Sequence, residues 1–367
     1  MFLSKLHILN YRNITEASLL FSPKLNCLLG NNGMGKTNLL DAIYYLSFCK
    51  SALQSVDSLN IRHDEEFFMI QGMYEKEGGT EEVSCGLKKR QRKQFKRNKK
   101  EYERLSDHIG LFPLVMIAPS DNSLIVGGSD ERRKFVDMVL SQYDRPYLNA
   151  LIQYNNALLQ RNTLLKTAQT LEGNEIIGIY EEQMSSWANT IYTGRNDFLS
   201  RFLPVFQQFY NIISDEHEPV YISYQSHLEM GELSPQLEHT RQRDLILGFT
   251  SKGIHKDDFE FIMSGHPLKK VGSQGQCKSF LVALKLAQFM FLSHISGVKP
   301  ILLLDDVFDR LDAKRVEQIV SIVTGEEFGQ IFLTDTNRNH LDSIIQQQPS
   351  DYSLFEVVEG EIKALDR

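Results

Sequence analysis

Polar and apolar residues alternate through LSKLHILNYRN (residues 3–13), which predicts an opening strand. KLNCLLG (24–30) predicts a short apolar strand running straight into a glycine loop. Beyond the loop, TNLLDAIYYLSF sets Leu39, Leu40, Ile43 and Leu46 at helical spacing, the pattern of an amphipathic helix. Three strand-like runs follow: FFMIQGMYE (67–75), EEVSCGL (81–87) and RKQFKRN (92–98). Glycine or charge separates them, so they predict a meander at a sheet edge. After PSDNSLIVGGSD (119–130) the period changes. Ser129 or Asp130 is placed to cap a helix beginning ERRKFVDMVLSQY, and the pattern stays helical to about residue 210. Leu151, Tyr154, Leu158, Arg161 and Leu165 share one stripe there, the expected core of a helical lobe. Residues 215–245 read as polar and irregular. Strand character returns in DFEFIMSG (258–265), followed by a long helix from Phe280 to about Ser293, then PILLLDDVF (300–308) and GQIFLTDT (329–336).

The simplest architecture is an α/β head made from both ends of the chain, residues 1–125 with 245–367, carrying an inserted, mostly helical lobe at 126–244. A length of 367 residues suits two domains, and 42% hydrophobic with 24% charged residues is ordinary globular composition. No apolar run reaches the roughly 18 residues of a membrane span, and the first residues lack the layout of a signal peptide. Cys27, Cys49, Cys85 and Cys277 are scattered, without a CxxC pair. A cytoplasmic protein without a membrane partner is the expectation. The net charge of −7 hides one opposing segment: KKRQRKQFKRNKK (88–100) holds nine Lys or Arg in thirteen positions and no acid. It reads as a hairpin turning near Arg97-Asn98-Lys99. Phe95 within it is either a packed strand residue or a platform for a base.

GNNGMGKT (30–37) fits G-x-x-x-x-G-K-[ST], with an apolar strand before it and a helix after it. Gly30, Gly33 and Gly35 let the backbone wrap around phosphate oxygens, with Asn31, Asn32 and Met34 completing the loop. The helix starting near Lys36 turns its free N–H groups and positive dipole end to the same anion, bringing Asn38 close. Lys36 supplies a point charge to the terminal phosphates of ATP, and the Thr37 hydroxyl is a Mg²⁺ ligand. ILLLDDVFDRLD (301–312) is the partner motif, a buried strand ending in two carboxylates. Asp305 is the expected Mg²⁺ contact. Asp306 is the expected catalytic group, orienting or deprotonating the attacking water. VGSQGQCKSF (271–280) drops a small polar loop, Ser273, Gln274, Gly275 and Gln276, onto a helix, a second anion-ready N-terminus. It serves the far side of the γ phosphate, either within one chain or from a second copy. HDEE (63–66) and HKDD (255–258) lack metal-ligand spacing and read as polar loops.

The order of these motifs is that of ABC-type ATPases, and the chain resembles the RecF family. The similar stretches run from residue 6 to 312: LHILNYRN, GNNGMGKTNLLDAIYYLS, LSDHIGLFPLVMIAPSD, ERRKFVD, LLQRNTLLK, GIHKDDFEF, VGSQGQ and LLLDDVFDRLD. SQGQ and DD stand where general ABC heads have Ser-Gly-Gly-Gln and Asp-Glu. The resemblance implies a P-loop head of ABC/SMC type and an ATP-dependent homodimer with slow hydrolysis. It further implies binding to double-stranded DNA and gapped junctions, RecR and RecO as partners, help in recombinase loading, and a part in the SOS response. It makes Ser273–Gln276 the signature that closes on the other subunit's nucleotide, and Asp312 part of the loop touching that subunit. Arg12 then approaches the nucleotide edge, and DNA contact by Lys88, Lys89, Arg90, Arg92, Lys93, Lys96 and Arg97 is favoured. Two departures stand out. Asp306 is one methylene shorter than Glu, which predicts slow turnover. The usual switch histidine is absent, so Thr334, Asp335 or Thr336 senses the γ phosphate. The rival reading, an energy-coupling subunit of a membrane transporter, shares the head chemistry but would lack the long helical insertion. A long-armed chromosome-structure protein would need heptad arms, and a small-molecule kinase leaves SQGQ unexplained.

Overall fold

The computed structural model describes residues 1–167, 175–214, 218–308, 311–336, 338 and 352–365. The chain forms two compact units, Met1–Asp121 with Val282–Arg367, and Asn122–Leu281.

In the first unit, β1 (Phe2–Tyr11), β2 (Ile14–Leu20), β4 (Phe67–Lys76), β5 (Gly79–Lys88), β6 (Gln94–Arg97) and β7 (Lys100–Glu101) build an antiparallel sheet of order β2-β1-β4-β5-β6-β7. The expected meander is β4-β5-β6, with Val83 opposite Arg97 and Cys85 opposite Phe95. A second sheet has the order β15-β14-β3-β13-β12-β8. Its strands are β3 (Leu25–Leu29), β8 (Leu114–Ile117), β12 (Ile301–Leu304), β13 (Ile331–Asp335), β14 (Tyr352–Val358) and β15 (Glu361–Leu365). All but β15 run parallel, and residues far apart in sequence share registers: Leu304 pairs with both Ile117 and Leu333, and Asp335 with Leu29. Burial on both faces explains the unbroken apolar runs of β8 and β12.

Helix α1 (Lys36–Phe48) packs against β1, β4 and β5 of one sheet and against β8 and β13 of the other. The expected amphipathic helix is therefore buried on all sides apart from Thr37 and Asn38; even Asp41 is fully enclosed. Tyr11, Tyr45 and Phe68 meet edge to face beside it, with ring centroids 5.2–6.2 Å apart.

The second unit opens with α2 (Ser123–Val126), α3 (Ser129–Ser141), α4 (Arg145–Thr167) and α5 (Glu175–Ser214). Gly128, with extended backbone and no side-chain cap bond, precedes α3, so neither Ser129 nor Asp130 is its cap. The stretch expected to be irregular holds β9 (Val220–Gln225) and α6 (Leu233–Leu247). Its polar residues hid a strand whose apolar partners lie elsewhere: β10 (Asp258–Met263) pairs antiparallel with β9 and with β11 (His266–Pro267). Residues 258–263 thus sit in the inserted unit and not with the head, where the sequence had put them. Helix α7 (Leu268–Val271) and α8 (Gln274–Ser296) follow. Helix α8 is apolar and long enough to cross a membrane, contrary to the run-length expectation, but 78% of its most apolar window is buried inside the fold.

The α4 stripe buries Tyr154, Arg161 and Leu165. Arg161 is an ionic centre in that core: it pairs with Glu181 at 2.9 Å and Asp244 at 2.8 Å, and donates to the Thr250 hydroxyl at 2.9 Å. Arg195 does the same between Asp137 and Asp257, each at 2.9 Å. HKDD disperses into this network. His255 Nε2 donates to the Thr250 carbonyl and Nδ1 accepts from the Tyr154 hydroxyl, while burial holds the imidazole pKa down at about 4. Asp257 faces Arg195 and Asp258 faces Arg132. Among the described residues no three His, Cys, Asp or Glu gather into a metal site.

Candidate nucleotide site

Strands β3, β12 and β13 lie side by side, and each delivers its motif at its carboxyl end, where open α/β sheets bind ligands. Leu29 hands over to the glycine loop, Leu304 to Asp305 and Asp306, and Leu333 to Thr334. Roughly 270 residues of sequence separate Thr37 from Asp305, yet the Thr37 hydroxyl donates to Asp305 Oδ2 at 2.8 Å, with Oδ1 at 3.1 Å.

The loop's glycines have separate tasks. Gly33 and Gly35 take left-handed φ of 81° and 115°. Gly30 is required by close approach: a Cβ there would lie 2.4 Å from the Val357 carbonyl oxygen of β14. Lys36 is buried and folds back over the loop, donating to the carbonyls of Gly30 at 2.7 Å and Asn31 at 3.1 Å. Asn31, Asn32 and Gly33 are exposed around it, with Met34 half-buried.

Of the three candidates at the end of β13, Thr334 meets Asp305 and the backbone of Asp306. Its hydroxyl is fully buried, donates to Asp305 Oδ1 at 2.8 Å and accepts from the Asp306 N–H at 3.0 Å. Asp335 is buried and its carbonyl accepts from Gly30 N–H at 3.4 Å; Thr336 is exposed. Burial pushes the Asp305 carboxyl above its ordinary pKa; hydrogen bonds from Thr37 and Thr334 oppose this, and the Asp306 charge adds to it. Asp306 stands at φ 44°, a left-handed position held by the bond to Thr334. The arrangement offers hard oxygen donors beside a cation and a ring of N–H groups, which suits a magnesium-bound polyphosphate.

Arg12 also has a left-handed backbone, φ 54°. Its guanidinium is anchored to Asp41 at 3.2 Å and to the Ser51 hydroxyl at 3.2 Å. Asp41 further accepts from the Tyr11 hydroxyl and from the hydroxyl of Ser51 and N–H of Ala52. Arg12 is thus tied to α1 one turn beyond Thr37.

In the inserted unit, α8 starts at Gln274, six residues earlier than the periodicity predicts, so Gly275 and Gln276 belong to its first turn. Ser273 and Gln276 form a reciprocal capping pair: Ser273 N–H donates to Gln276 Oε1 at 2.7 Å, and Gln276 N–H to Ser273 Oγ at 3.2 Å. Gln276 Nε2 donates to Glu218. Helix geometry leaves the N–H groups of Gln274 and Gly275 without intrahelical acceptors. Asp312 caps α9 (Ala313–Val323), accepting from Arg315 N–H at 3.0 Å. The first two residues of DRLD, 309 and 310, lie outside the described residues.

The basic segment divides. Lys93 is committed to Asp57 and the Cys49 carbonyl, both at 2.6 Å, Arg97 to Glu81, and Lys89 to Glu66 at 3.4 Å. Lys96 is half-buried, whereas Lys88, Arg90, Arg92, Lys99 and Lys100 are exposed. Phe95 is 1% exposed and packs edge to face on His108, which removes it as a base platform.

Periodicity gave no signal for two contributors to the loop. Asn13 donates from Nδ2 to the Met34 carbonyl at 3.0 Å and accepts from Asn38 Nδ2 at 2.8 Å. The turn Glu359–Gly360 of the β14–β15 hairpin reaches the same carbonyl through Gly360 N–H at 2.8 Å. Its Glu-Gly dipeptide between two strands, both residues at positive φ, is the signal that would have located it.

Residues 2–352 match the family model described as RecF/RecN/SMC N terminal domain. The chain is 55% identical over 367 residues to the DNA replication and repair protein RecF of Bacteroides fragilis, covering 100% of this chain and 99% of that one. It is 56% identical over 366 residues to the protein of the same name from Bacteroides thetaiotaomicron, with the same coverage. Its fold is similar to the solved recombination mediator protein RecF with ATP, at TM-score 0.89 and 29% identity, covering 100% of this chain and 98% of that one. An SMC head bound to the C-winged helix domain of ScpA shares the fold at TM-score 0.60 and 13% identity, covering 100% of this chain and 97% of that one. A P-loop head interrupted by a helical insert, and this full-length likeness, lead to one conclusion: the chain belongs to the RecF family.

Proposed function

We propose that this protein is an ATP-dependent DNA-binding protein of recombinational repair and replication restart, acting in the cytoplasm. The observation that carries the reading is the junction of three strand ends, where Lys36, Thr37, Asp305, Asp306 and Thr334 converge. ATP is held by the glycine loop and Lys36. The buried, electrostatically unbalanced Asp305 and the Thr37 hydroxyl beside it fit Mg²⁺, which when bound would neutralise phosphate charge. Asp306 orients the attacking water, and Thr334, which donates to Asp305 Oδ1 and accepts from the Asp306 N–H, registers the terminal phosphate. The N–H groups at the start of α8 supply the remaining anion contact from a second copy, giving a two-fold dimer in which each chain completes the other's site. Asp312 belongs to the loop that touches the opposite subunit, and Arg12 approaches the edge of the nucleotide. The transporter reading is not favoured, because the similar full-length relatives are replication and repair proteins. Partnership with RecR and RecO follows the family.

Sedimentation with ATP tests the dimer. Wild type is expected to dimerise, and Lys36→Met to remain monomeric because ATP is not held. Ser273→Arg is expected to bind ATP as a monomer with wild-type affinity yet not to dimerise. Loss of monomer affinity in Ser273→Arg would instead place this loop on its own chain's nucleotide.

DNA contact is assigned to the exposed cations of the 88–100 segment. Reversing Arg90, Arg92 and Lys99 to Glu is expected to weaken duplex and gapped DNA binding. The slope of log K against log salt should flatten by roughly 2–3, about 0.9 for each lost phosphate contact. Anisotropy titrations between about 50 and 200 mM salt read this directly; an unchanged slope would remove the segment from the interface.

A further inference from the structure

We propose that Asn13 is a positioning residue for the phosphate loop, aiming a loop N–H at the nucleotide before the nucleotide arrives. The inference rests on reading residues 30–37 as an ATP site and adds a residue outside that motif.

The argument starts at the peptide between Met34 and Gly35. A trans peptide is planar, so its C=O and N–H point in opposite directions. Fixing the Met34 carbonyl therefore fixes the direction of the Gly35 N–H. Two donors fix that carbonyl from one side, Asn13 Nδ2 at 3.0 Å and Gly360 N–H at 2.8 Å, which together use both of its lone pairs. The Gly35 N–H is thereby turned the opposite way.

Asn13 is itself held. Asn38 Nδ2 donates to its Oδ1 at 2.8 Å, and a carbonyl can only accept, so the amide has one orientation that satisfies both neighbours. The packing leaves no slack. A Cβ on Gly35 would come within 2.7 Å of Asn13 Nδ2, and a Cβ on Gly360 within 2.2 Å of the Asn13 carbonyl oxygen. Gly35 at φ 115° and Gly360 at φ 85° are both in the left-handed region, so the loop and the hairpin turn close on Asn13 from either side. The Glu359 N–H also approaches Met34 Sδ at 3.4 Å. A loop prepared in this way does not spend binding energy on ordering itself, which is how preorganisation raises affinity.

Asn13→Asp is nearly isosteric. It keeps the acceptor for Asn38 but replaces the donor facing Met34 with another acceptor; Asn13→Ala removes both bonds. Calorimetric titration with ATP and with inorganic tripolyphosphate, alongside thermal melting of each variant, tests the idea. Both variants are expected to melt within a few degrees of wild type and to bind both ligands roughly three- to ten-fold more weakly, the size of one lost hydrogen bond. The factor should be the same for the two ligands, because the loop holds phosphate and not the base. Wild-type binding with unchanged affinities in folded variants would overturn the proposal alone. A loss confined to ATP, or lower melting temperatures with unchanged affinities, would also overturn it, making Asn13 a base-side or purely structural residue. Failure of wild type to bind ATP would overturn the nucleotide reading and this proposal with it.

Discussion

Asp306→Asn is expected to leave ATP binding intact while lowering ATP hydrolysis by about 10²- to 10⁴-fold, the usual contribution of a positioned general base. The substitution is chosen for its backbone. Asp306 sits at φ 44°, and asparagine is among the few residues that accept this region readily, so shape and strain carry over. The N–H that donates to Thr334 is unaffected, while the negative charge beside Asp305 and the ability to take a proton from water are lost. Phosphate release at saturating ATP, together with direct titration of a fluorescent ATP analogue, separates the two steps. Undiminished hydrolysis in the variant would assign the water to another group.

Arg195→Met is expected to destabilise the inserted unit by about 3–5 kcal/mol, the cost of breaking a buried ion pair from one side. Arg195 is 1% exposed and satisfies four acceptors: Asp137, Asp257, the Ile254 carbonyl and the Tyr147 hydroxyl. Burial already pushes the Asp257 carboxyl above its ordinary pKa, opposed chiefly by Arg195. Without the guanidinium that opposition weakens, leaving the hydrogen bonds from the Tyr224 hydroxyl, at 2.6 Å, and from Ser226. Urea unfolding followed through the insert's single tryptophan, Trp187, measures the loss. A change below about 1 kcal/mol would mean that the network is dispensable.

The nucleotide site was legible because its chemistry is local. Gly30 to Thr37 must be contiguous to wrap a phosphate, and a buried parallel strand ending in two aspartates announces itself in ILLLDD. The pairing of β9 with β10 was not legible, since it joins Val220 to Met263 across α6 and VYISYQ lacks a strong alternation of its own. That pairing is also why the insert extends to Leu281 and not to residue 244. The start of α8 was misplaced because Ser273 to Gln276 is polar. A Ser-x-x-Gln spacing signals a helix start more reliably than the first apolar residue does, and here it outweighed the period. Arg161 lay on a stripe that otherwise read as apolar core, and its carboxylate partners come from two other helices. Which of Thr334, Asp335 and Thr336 turns its side chain towards Asp305 was not legible either, because it depends on how the end of β13 lies beside β12.

The strand order of the nucleotide-binding sheet has a consequence for biosynthesis. β3 is flanked by β13 and β14, so both neighbours of this central strand are encoded near the opposite end of the gene. At roughly 5–20 residues per second on the ribosome, Lys36 emerges some 15–60 s before Thr334. Throughout that interval Leu25, Cys27 and Leu28 lack their partners in β13 and β14, whereas the insert, Asn122–Leu281, is complete before β13 is made. The sheet around β3 can therefore close only when translation is nearly over, and a site built from Thr37, Asp305 and Thr334 cannot assist its folding before then.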